Sequence, residues 1–365
     1  MTIPFDDIGP TKILQLHAPR IPMRAVVVID NTARGPALGG IRVSPRVGVE
    51  EVARLARTMT FKSALADLPH GGGKAGIIAD PRAPNIELIF RTFARLIKNL
   101  TEYIPAPDMG CHEDAMAWIQ DEIGRVAGLP EEIGGLPLDK LGATGHGLAE
   151  CAEVACAHAG LDLAGARVAI QGFGSVGKAA ARFLAAKGAM IVAVSDSRGA
   201  VYQPGGLDVT QLLAVKKETG RIAAGGAGQV LPGEELFQVD CDILVPAATP
   251  DVIHEGNAGA IKARLILQGA NIPATARAEQ ILAERGVLLV PDFIANAGGL
   301  IMAALEYARR SEAEAFAAIT DKIRANTRLI LDKARSEGIL PRAAAESIAR
   351  ERVVKAMRFR EYTYT

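Results

Sequence analysis

The sequence predicts an α/β fold of two domains, the second a doubly wound parallel sheet, with C-terminal helices packing back on the first domain. Three observations support this. From about residue 144 onward, strand-like runs alternate with helical periods, the pattern of βαβ units. Glycine is abundant, 38 of 365 residues, while aromatics make up 4% with a single Trp, a balance common in Ala/Val/Gly-rich α/β enzymes and foreign to aromatic-rich β-sandwiches. Apolar residues fill 49% of positions, enough for a substantial core in two or three domains and incompatible with disorder.

In chain order, residues 23–30 (MRAVVVID) form a β-branched run closed by the turn signal Asp30-Asn31 and read as a strand. GPALGG follows as a Gly-rich turn. Val52, Leu55, Ala56 and Met59 then recur at i, i+3, i+4 and i+7, a helix with Lys62 on its last turn. A glycine cluster, a short strand AGIIAD and a helix over about 85–100 come next. The prolines of YIPAPDMG forbid regular helix there, and a helix follows near 112–127. GLPEEIGGLPLDKLGATG is dense in Gly and Pro and marks the domain boundary, so the domains are 1–140, 141–300 and a returning segment 301–365. Beyond it come a helix from Thr144 to about His158, strand RVAIQGFG, helix 176–187, strand AMIVAVSD, a helix near 208–219, and strands ILVPAA, RLILQGAN and VLLVPD separated by helical segments. From Leu300 the pattern is helical, and 313–336 places Phe316, Ile319, Ile323, Leu329 and Ile330 on or near one stripe.

Several classes are excluded. With 41 Lys+Arg against 41 Asp+Glu, the zero net charge gives no electrostatic reason to expect nucleic acid or an anionic membrane as partner. No apolar run reaches the roughly 18 residues of a membrane helix. The start MTIPFDDIGP lacks the basic and apolar regions of a signal peptide, and the four cysteines form no C-x-x-C pair, so a reduced cytoplasmic protein is expected. The six histidines are scattered without HExxH or zinc spacing, and no metal is expected.

Three constellations carry chemistry. Gly172-Phe173-Gly174-Ser175-Val176-Gly177 fits G-x-G-x-x-G, follows the strand RVAIQ, opens a helix, and precedes a strand ending in Asp196, 24 residues after Gly172. This is the context of a Rossmann-type dinucleotide site, with the pyrophosphate at the helix N-terminus. The bland alternative is that the glycines serve only strand–helix packing. Asp196 would bind the adenosine ribose hydroxyls and repel a 2′-phosphate, favouring NAD, with NADP possible because Arg198 stands nearby. Second, Lys62 and Lys74 stand twelve residues apart in FKSALADLPHGGGKAGI. A phosphate loop fails here, since Ala75 replaces the Ser/Thr and Leu68 the first glycine. Two lysines in one glycine-lined cleft repel each other, which lets one act as a base while the other pairs with a carboxylate; two solvated surface lysines are the plainer reading. Third, Asp108 in IPAPDMG is either a cap or turn residue or a third functional group.

These residues carry a resemblance. GPALGGIRVSP, MTFKSALADLPHGGGKAG, IPAPDMG, TGHG, GFGSVG with VSDSRGAVY, PAATPDVI, QGANIPAT and PDFIANAGGLI stand in the order of similar motifs in the glutamate/leucine/phenylalanine/valine dehydrogenases, from roughly residue 24 to 355. The resemblance implies that 1–140 binds substrate and makes oligomer contacts while 141–300 binds NAD. It implies that Lys62 holds the substrate α-carboxylate, Lys74 activates water, and Asp108 shuttles a proton with the amino group and departing ammonia. Leu38, Gly39, Ala303 and Asn296 fall on the substrate side, and Thr144, Ala247, Ala248 and Asn271 beside the nicotinamide and its ribose. Gln268 replaces a common glutamate and His146 the aromatic of TGYG. The implied reaction is reversible oxidative deamination of an L-amino acid to its 2-oxo acid and ammonia, in a homo-oligomer, hexamer or octamer. Where glutamate dehydrogenases carry a lysine and a serine for the side-chain carboxylate, this sequence has Leu38 and Ala303, so an apolar branched-chain or aromatic substrate is expected; glutamate is the alternative, through His70 or Arg42. A catalytically silent nucleotide-binding regulator or scaffold is the alternative of another class.

Overall fold

The computed structural model describes residues 5–360 apart from 22 and 227. The first four residues of the segment read for a leader lie outside the described residues. The chain divides into two compact units, one of 1–138, 300–315 and 346–365, the other of 139–299 and 316–345.

The first unit is built on a five-stranded sheet: β1 (Lys12–Ala18), β2 (Met23–Asn31), β3 (Ala37–Val43), β4 (Gly71–Ile78) and β5 (Tyr103–Pro107), in the order β1-β2-β4-β3-β5. β3 runs parallel to β4 and β5, while β2 is antiparallel to β1 and β4. Alternation along β2 supplies both faces: Val26 and Val28 pack with Val52 and Ala56 of helix α1 (Val49–Leu65). Val27 and Ile29 join Phe90 and Phe93 of α2 (Ile86–Leu96) and Met116 and Ile119 of α3 (Glu113–Ile123). GPALGG, expected as a turn, is largely strand β3. The glycine cluster is strand too: a Cβ on Gly72 would sit 2.1 Å from the Thr60 amide nitrogen, so its missing side chain is what lets β4 lie against α1.

The second unit contains α4 (Leu138–Leu141), α5 (Ala143–Ala159), β6 (Arg167–Gln171), α6 (Ser175–Ala186), β7 (Met190–Asp196), β8 (Gly199–Tyr202), α7 (Val209–Thr219), β9 (Gln229–Leu231), β10 (Ile243–Pro246), β11 (Leu265–Leu267), α8 (Ala276–Glu284), β12 (Leu288–Val290) and α9 (Asp292–Ala295). Its sheet has the order β12-β11-β10-β6-β7-β8-β9, parallel from β12 to β7 and closed at one edge by the antiparallel β8 and β9.

Three helices complete the chain: α10 (Gly298–Tyr307), α11 (Glu312–Glu337) and α12 (Pro341–Met357). The expectation that all of 301–365 returns to the first unit is corrected for 316–345, which pack with the nucleotide-fold unit. His146 of α5 lies edge-on to Phe316, and Arg324 is paired with Glu150, both on α5 and α11. Ile319, Ile323 and Ile330 are buried as the periodicity predicts, whereas Leu329 falls off the stripe and is 43% exposed. Among the described residues no helix is long and apolar enough to cross a membrane.

Candidate active site

In the first unit, parallel β3, β4 and β5 bring their side chains onto common faces. Lys74 of β4 is 6% exposed, and its Nζ lies 2.9 Å from Oδ2 of Asp108, just past β5. The plainer reading of a solvated lysine is therefore excluded for Lys74. Asp108 does close a turn, but with its backbone, whose carbonyl accepts the Cys111 amide at 2.8 Å; its side chain caps no helix and reaches Lys74 and Arg42. Burial pushes the Asp108 carboxyl up, but the charges of Lys74 and Arg42 outweigh this and hold it below the usual aspartate value.

Lys62 lies on the last turn of α1, the helix seated on β4. Leu38 is fully buried in β3, registered with Gly72 and Ile104. The Gly39 carbonyl beside it accepts the buried Tyr103 hydroxyl at 2.8 Å. Ala303 sits on α10 at 5% exposure. His70 is buried with Nδ1 3.3 Å from the Pro36 carbonyl and its ring edge-on to Tyr307; burial lowers its pKa and keeps it neutral at pH 7.

In the second unit, Gly172, Gly174, Ser175, Val176 and Gly177 form the β6–α6 turn. A Cβ on Gly177 would stand 1.8 Å from the Gly172 carbonyl oxygen, so strand and helix meet there through backbone, while a Cβ on Gly174 would meet nothing within 4 Å. That open face at the N-terminus of α6 fits a pyrophosphate. Ala248 abuts Gly172, where a Cβ would be 2.6 Å from the Ala248 Cβ, and Ala247 donates its amide to the Gln171 carbonyl at 2.7 Å. Asn271 accepts from Asn296 Nδ2 at 3.0 Å, and Asn296 Oδ1 is buried without a hydrogen-bond partner, a free acceptor in the same neighbourhood. Gln171 Oε1, next to the glycine turn, is a second such acceptor. Thr144 opens α5, its Cα against Gly298. These features fit a bound dinucleotide.

Asp196 ends β7 as expected, but its carboxylate is already engaged. Oδ2 accepts Lys216 Nζ at 2.6 Å and the Ile222 amide at 3.1 Å, and Oδ1 accepts the Arg198 amide at 2.9 Å. Burial raises its pKa, and Lys216 with the two amides more than reverses this. The pairing with Lys216 weakens the repulsion Asp196 exerts on a 2′-phosphate. Lys216 lies on α7, and nothing in the local sequence announces its reach to Asp196. Arg42 was also missed as an Asp108 partner; with GGIRV read as strand, its alternation puts Leu38, Gly40 and Arg42 on one face. Gln268 and His146 have structural partners: Gln268 bridges Glu279 and the Asp292 amide, and His146 lies against Phe183 and Phe316 with Thr320 at 3.0 Å.

A parallel nucleotide-binding sheet in one chain with a buried lysine–carboxylate pair defines a dinucleotide-dependent oxidoreductase. The family model described as Glutamate/Leucine/Phenylalanine/Valine dehydrogenase matches residues 134–361, and that of the Glu/Leu/Phe/Val dehydrogenase dimerisation domain matches 18–125. The chain belongs to this family and is an NAD(P)-dependent amino acid dehydrogenase. It is 41% identical over 355 residues to glutamate dehydrogenase of Aeropyrum pernix, covering 90% of this chain and 85% of the relative. Among solved structures it resembles the hetero-hexameric glutamate dehydrogenase of Thermus thermophilus in its leucine-bound form, with 32% identity, TM-score 0.86 and 96% and 90% of the two chains covered. It also resembles L-tryptophan dehydrogenase of Nostoc punctiforme, with 27% identity, TM-score 0.76 and 96% and 98% covered. Both NAD-specific and NADP-specific glutamate dehydrogenases occur among its relatives, in keeping with NAD as cofactor and NADP as possible.

Proposed function

We propose that this enzyme carries out the reversible oxidative deamination of an apolar, branched-chain or aromatic L-amino acid to its 2-oxo acid and ammonia. The observation that carries the chemistry is the buried Lys74–Asp108 pair at 2.9 Å. The nicotinamide supplies the acceptor for hydride from Cα. Gly172, Gly174, Ser175, Val176 and Gly177 hold the pyrophosphate, Asp196 the adenosine ribose, and Thr144, Ala247, Ala248 and Asn271 the nicotinamide end. Lys62 pairs with the substrate α-carboxylate. Asp108, ionised at rest, first takes a proton from the substrate ammonium. Lys74 takes the proton of the water that adds to the iminium carbon, and Asp108 then returns its proton to the amino nitrogen and receives the hydroxyl proton as the carbinolamine collapses to the carbonyl and expels ammonia. Asn296 and Gly39 orient the substrate.

The side-chain preference rests on Leu38 and Ala303, both buried and apolar. A γ-carboxylate desolvated against them without a partner costs several kcal/mol, whereas burying an aliphatic or aromatic group gains about 1.5–3 kcal/mol. The two residues considered as rescuers offer little: burial lowers the His70 pKa and disfavours its charged form, and Arg42 is paired with Asp108 and Glu51. Glutamate is the second reading, favoured by relatives named glutamate dehydrogenase at 41% and 44% identity. Comparing kcat/KM for leucine, valine, phenylalanine, tryptophan and glutamate separates the two, and glutamate as the best substrate overturns the first. Residues 1–140 serve substrate binding and oligomer contact and 141–300 nucleotide binding. A closed homo-oligomer in the cytoplasm completes the proposal; four free, buried cysteines suit a reducing compartment.

A further inference from the structure

One oxygen of Asp108 serves two cations. Oδ2 takes Lys74 Nζ at 2.9 Å and also Arg42 Nε at 3.2 Å, while Arg42 Nη1 is held by Glu51 Oε1 at 2.6 Å. The result is an alternating row, Glu51, Arg42, Asp108, Lys74, running from the α1 surface into the sheet. The approach is built into the backbone: a Cβ on Gly40, two residues before Arg42 on the same strand face, would lie 2.7 Å from the Asp108 Cβ. Ile41 is registered with Pro107, so Arg42 and Asp108 are each one residue beyond a paired position.

The proposed reaction, on which this inference rests, strains this row at one point. Lys74 must give up its proton to act as a base, and a neutral Lys74 no longer stabilises a buried carboxylate. An aspartate left alone there would hold a proton too tightly either to receive one from the substrate or to return it, and would lose its role as proton carrier. Arginine does not deprotonate in this pH range and presents a rigid fork of donors.

We propose that Arg42, anchored by Glu51, is a positioning residue that holds Asp108 in place and keeps its proton affinity low enough to release the proton it carries, while Lys74 cycles between its charged and neutral forms. The groups facing Asp108 from the surrounding elements are Lys74 on β4, Arg42 on β3, Tyr103 on β5 and Cys111 in the turn before α3. Burial raises the Tyr103 hydroxyl well above its ordinary value and pushes the Cys111 thiol up to about 12, so neither titrates near neutral pH. Arg42 and Lys74 are thus the two that set the charge on Asp108.

The test is the pH profile of kcat/KM for the amino acid in the full-length enzyme carrying Arg42→Gln, Arg42→Lys, Glu51→Gln or, as reference, Asp108→Asn. Arg42→Gln is expected to move the acidic limb upward by about one pH unit or more and to lower kcat about 10- to 100-fold, with NADH affinity measured by fluorescence unchanged. Arg42→Lys restores part of the limb because the charge returns without the fork, and Glu51→Gln, which keeps the Arg42 charge but frees its anchor, lowers kcat by less than Arg42→Gln. A purely structural role would lower thermal stability and leave the profile where it was. An Arg42→Gln profile that superimposes on the wild type overturns the inference. If that variant does not fold, an unchanged kcat for Glu51→Gln, whose partly exposed side chain tolerates exchange, does the same. Asp108→Asn with near-normal kcat overturns the underlying catalytic reading instead, so the two failures are distinguishable.

Discussion

Asparagine at position 108 removes one negative charge from a site where two cations share an oxygen, and the structure says which is stranded. Lys74, 6% exposed, is deprived of its counter-ion, while Arg42 keeps Glu51 at 2.6 Å. Removing one member of a buried pair costs about 3–5 kcal/mol. Lys74→Ala is milder, because Asp108 retains Arg42 and the Met109 amide, so its loss is that of one charged hydrogen bond, about 1.5–3 kcal/mol. At about 2–4 °C per kcal/mol for a unit of 150–250 residues, Asp108→Asn lowers Tm by roughly 10 °C and Lys74→Ala by roughly half that. Both lower kcat by about 10²–10⁴. The sign with pH follows from the lowered Asp108 pKa: its contribution is full above the ordinary aspartate value and is lost as pH falls through the depressed one, so the Tm gap between wild type and Asp108→Asn closes in acid. Calorimetry from pH 3 to 8 and NADH absorbance at neutral pH measure both effects. Near-normal kcat in either variant, or a Lys74→Ala protein less stable than Asp108→Asn, refutes the reasoning.

Leu38→Lys combined with Ala303→Ser is expected to raise kcat/KM for glutamate at least about tenfold relative to leucine, read from initial rates with both substrates. Lys216→Ala unmasks the Asp196 charge, so the ratio of NAD to NADP affinity rises by about tenfold, whereas Asp196→Ser lowers it; titration with each nucleotide checks both. Glu306 is buried, with Oε1 taking the Gly128 and Leu129 amides and Oε2 unpartnered, and burial raises its pKa despite those amides. Its contribution to stability is therefore greatest in acid and is lost as pH rises from the ordinary glutamate value through the raised one. Glu306→Gln removes that slope from the plot of Tm against pH.

The sequence made the nucleotide-binding unit legible because its signals are local. G-x-G-x-x-G, the strand before it and Asp196 all lie within one βαβ unit, and the chain folds them side by side. The first unit was harder. Gly39 and Gly40 look like a turn, yet they sit mid-strand, where the Gly73 backbone and Asp108 take the space of their side chains. Exposed β1 has no apolar run, and the antiparallel edge strands β8 and β9 are three or four residues long. Lys62, Lys74 and Asp108 stood out through the resemblance, whereas Arg42 with Asp108 and Lys216 with Asp196 are tertiary pairings that no periodicity encodes. The stripe on α11 was visible, but not which unit it faced.

Reductive amination tests the central claim most directly. The purified protein is mixed with ammonium, NADH or NADPH, and in turn the 2-oxo acids of leucine, valine, phenylalanine, tryptophan and glutamate, and loss of absorbance at 340 nm is followed. Turnover requiring all three components, fastest with an apolar 2-oxo acid and abolished by Lys74→Ala, is the predicted result. Tight NADH binding with no oxidation by any 2-oxo acid would contradict it and leave a nucleotide-binding protein without this chemistry.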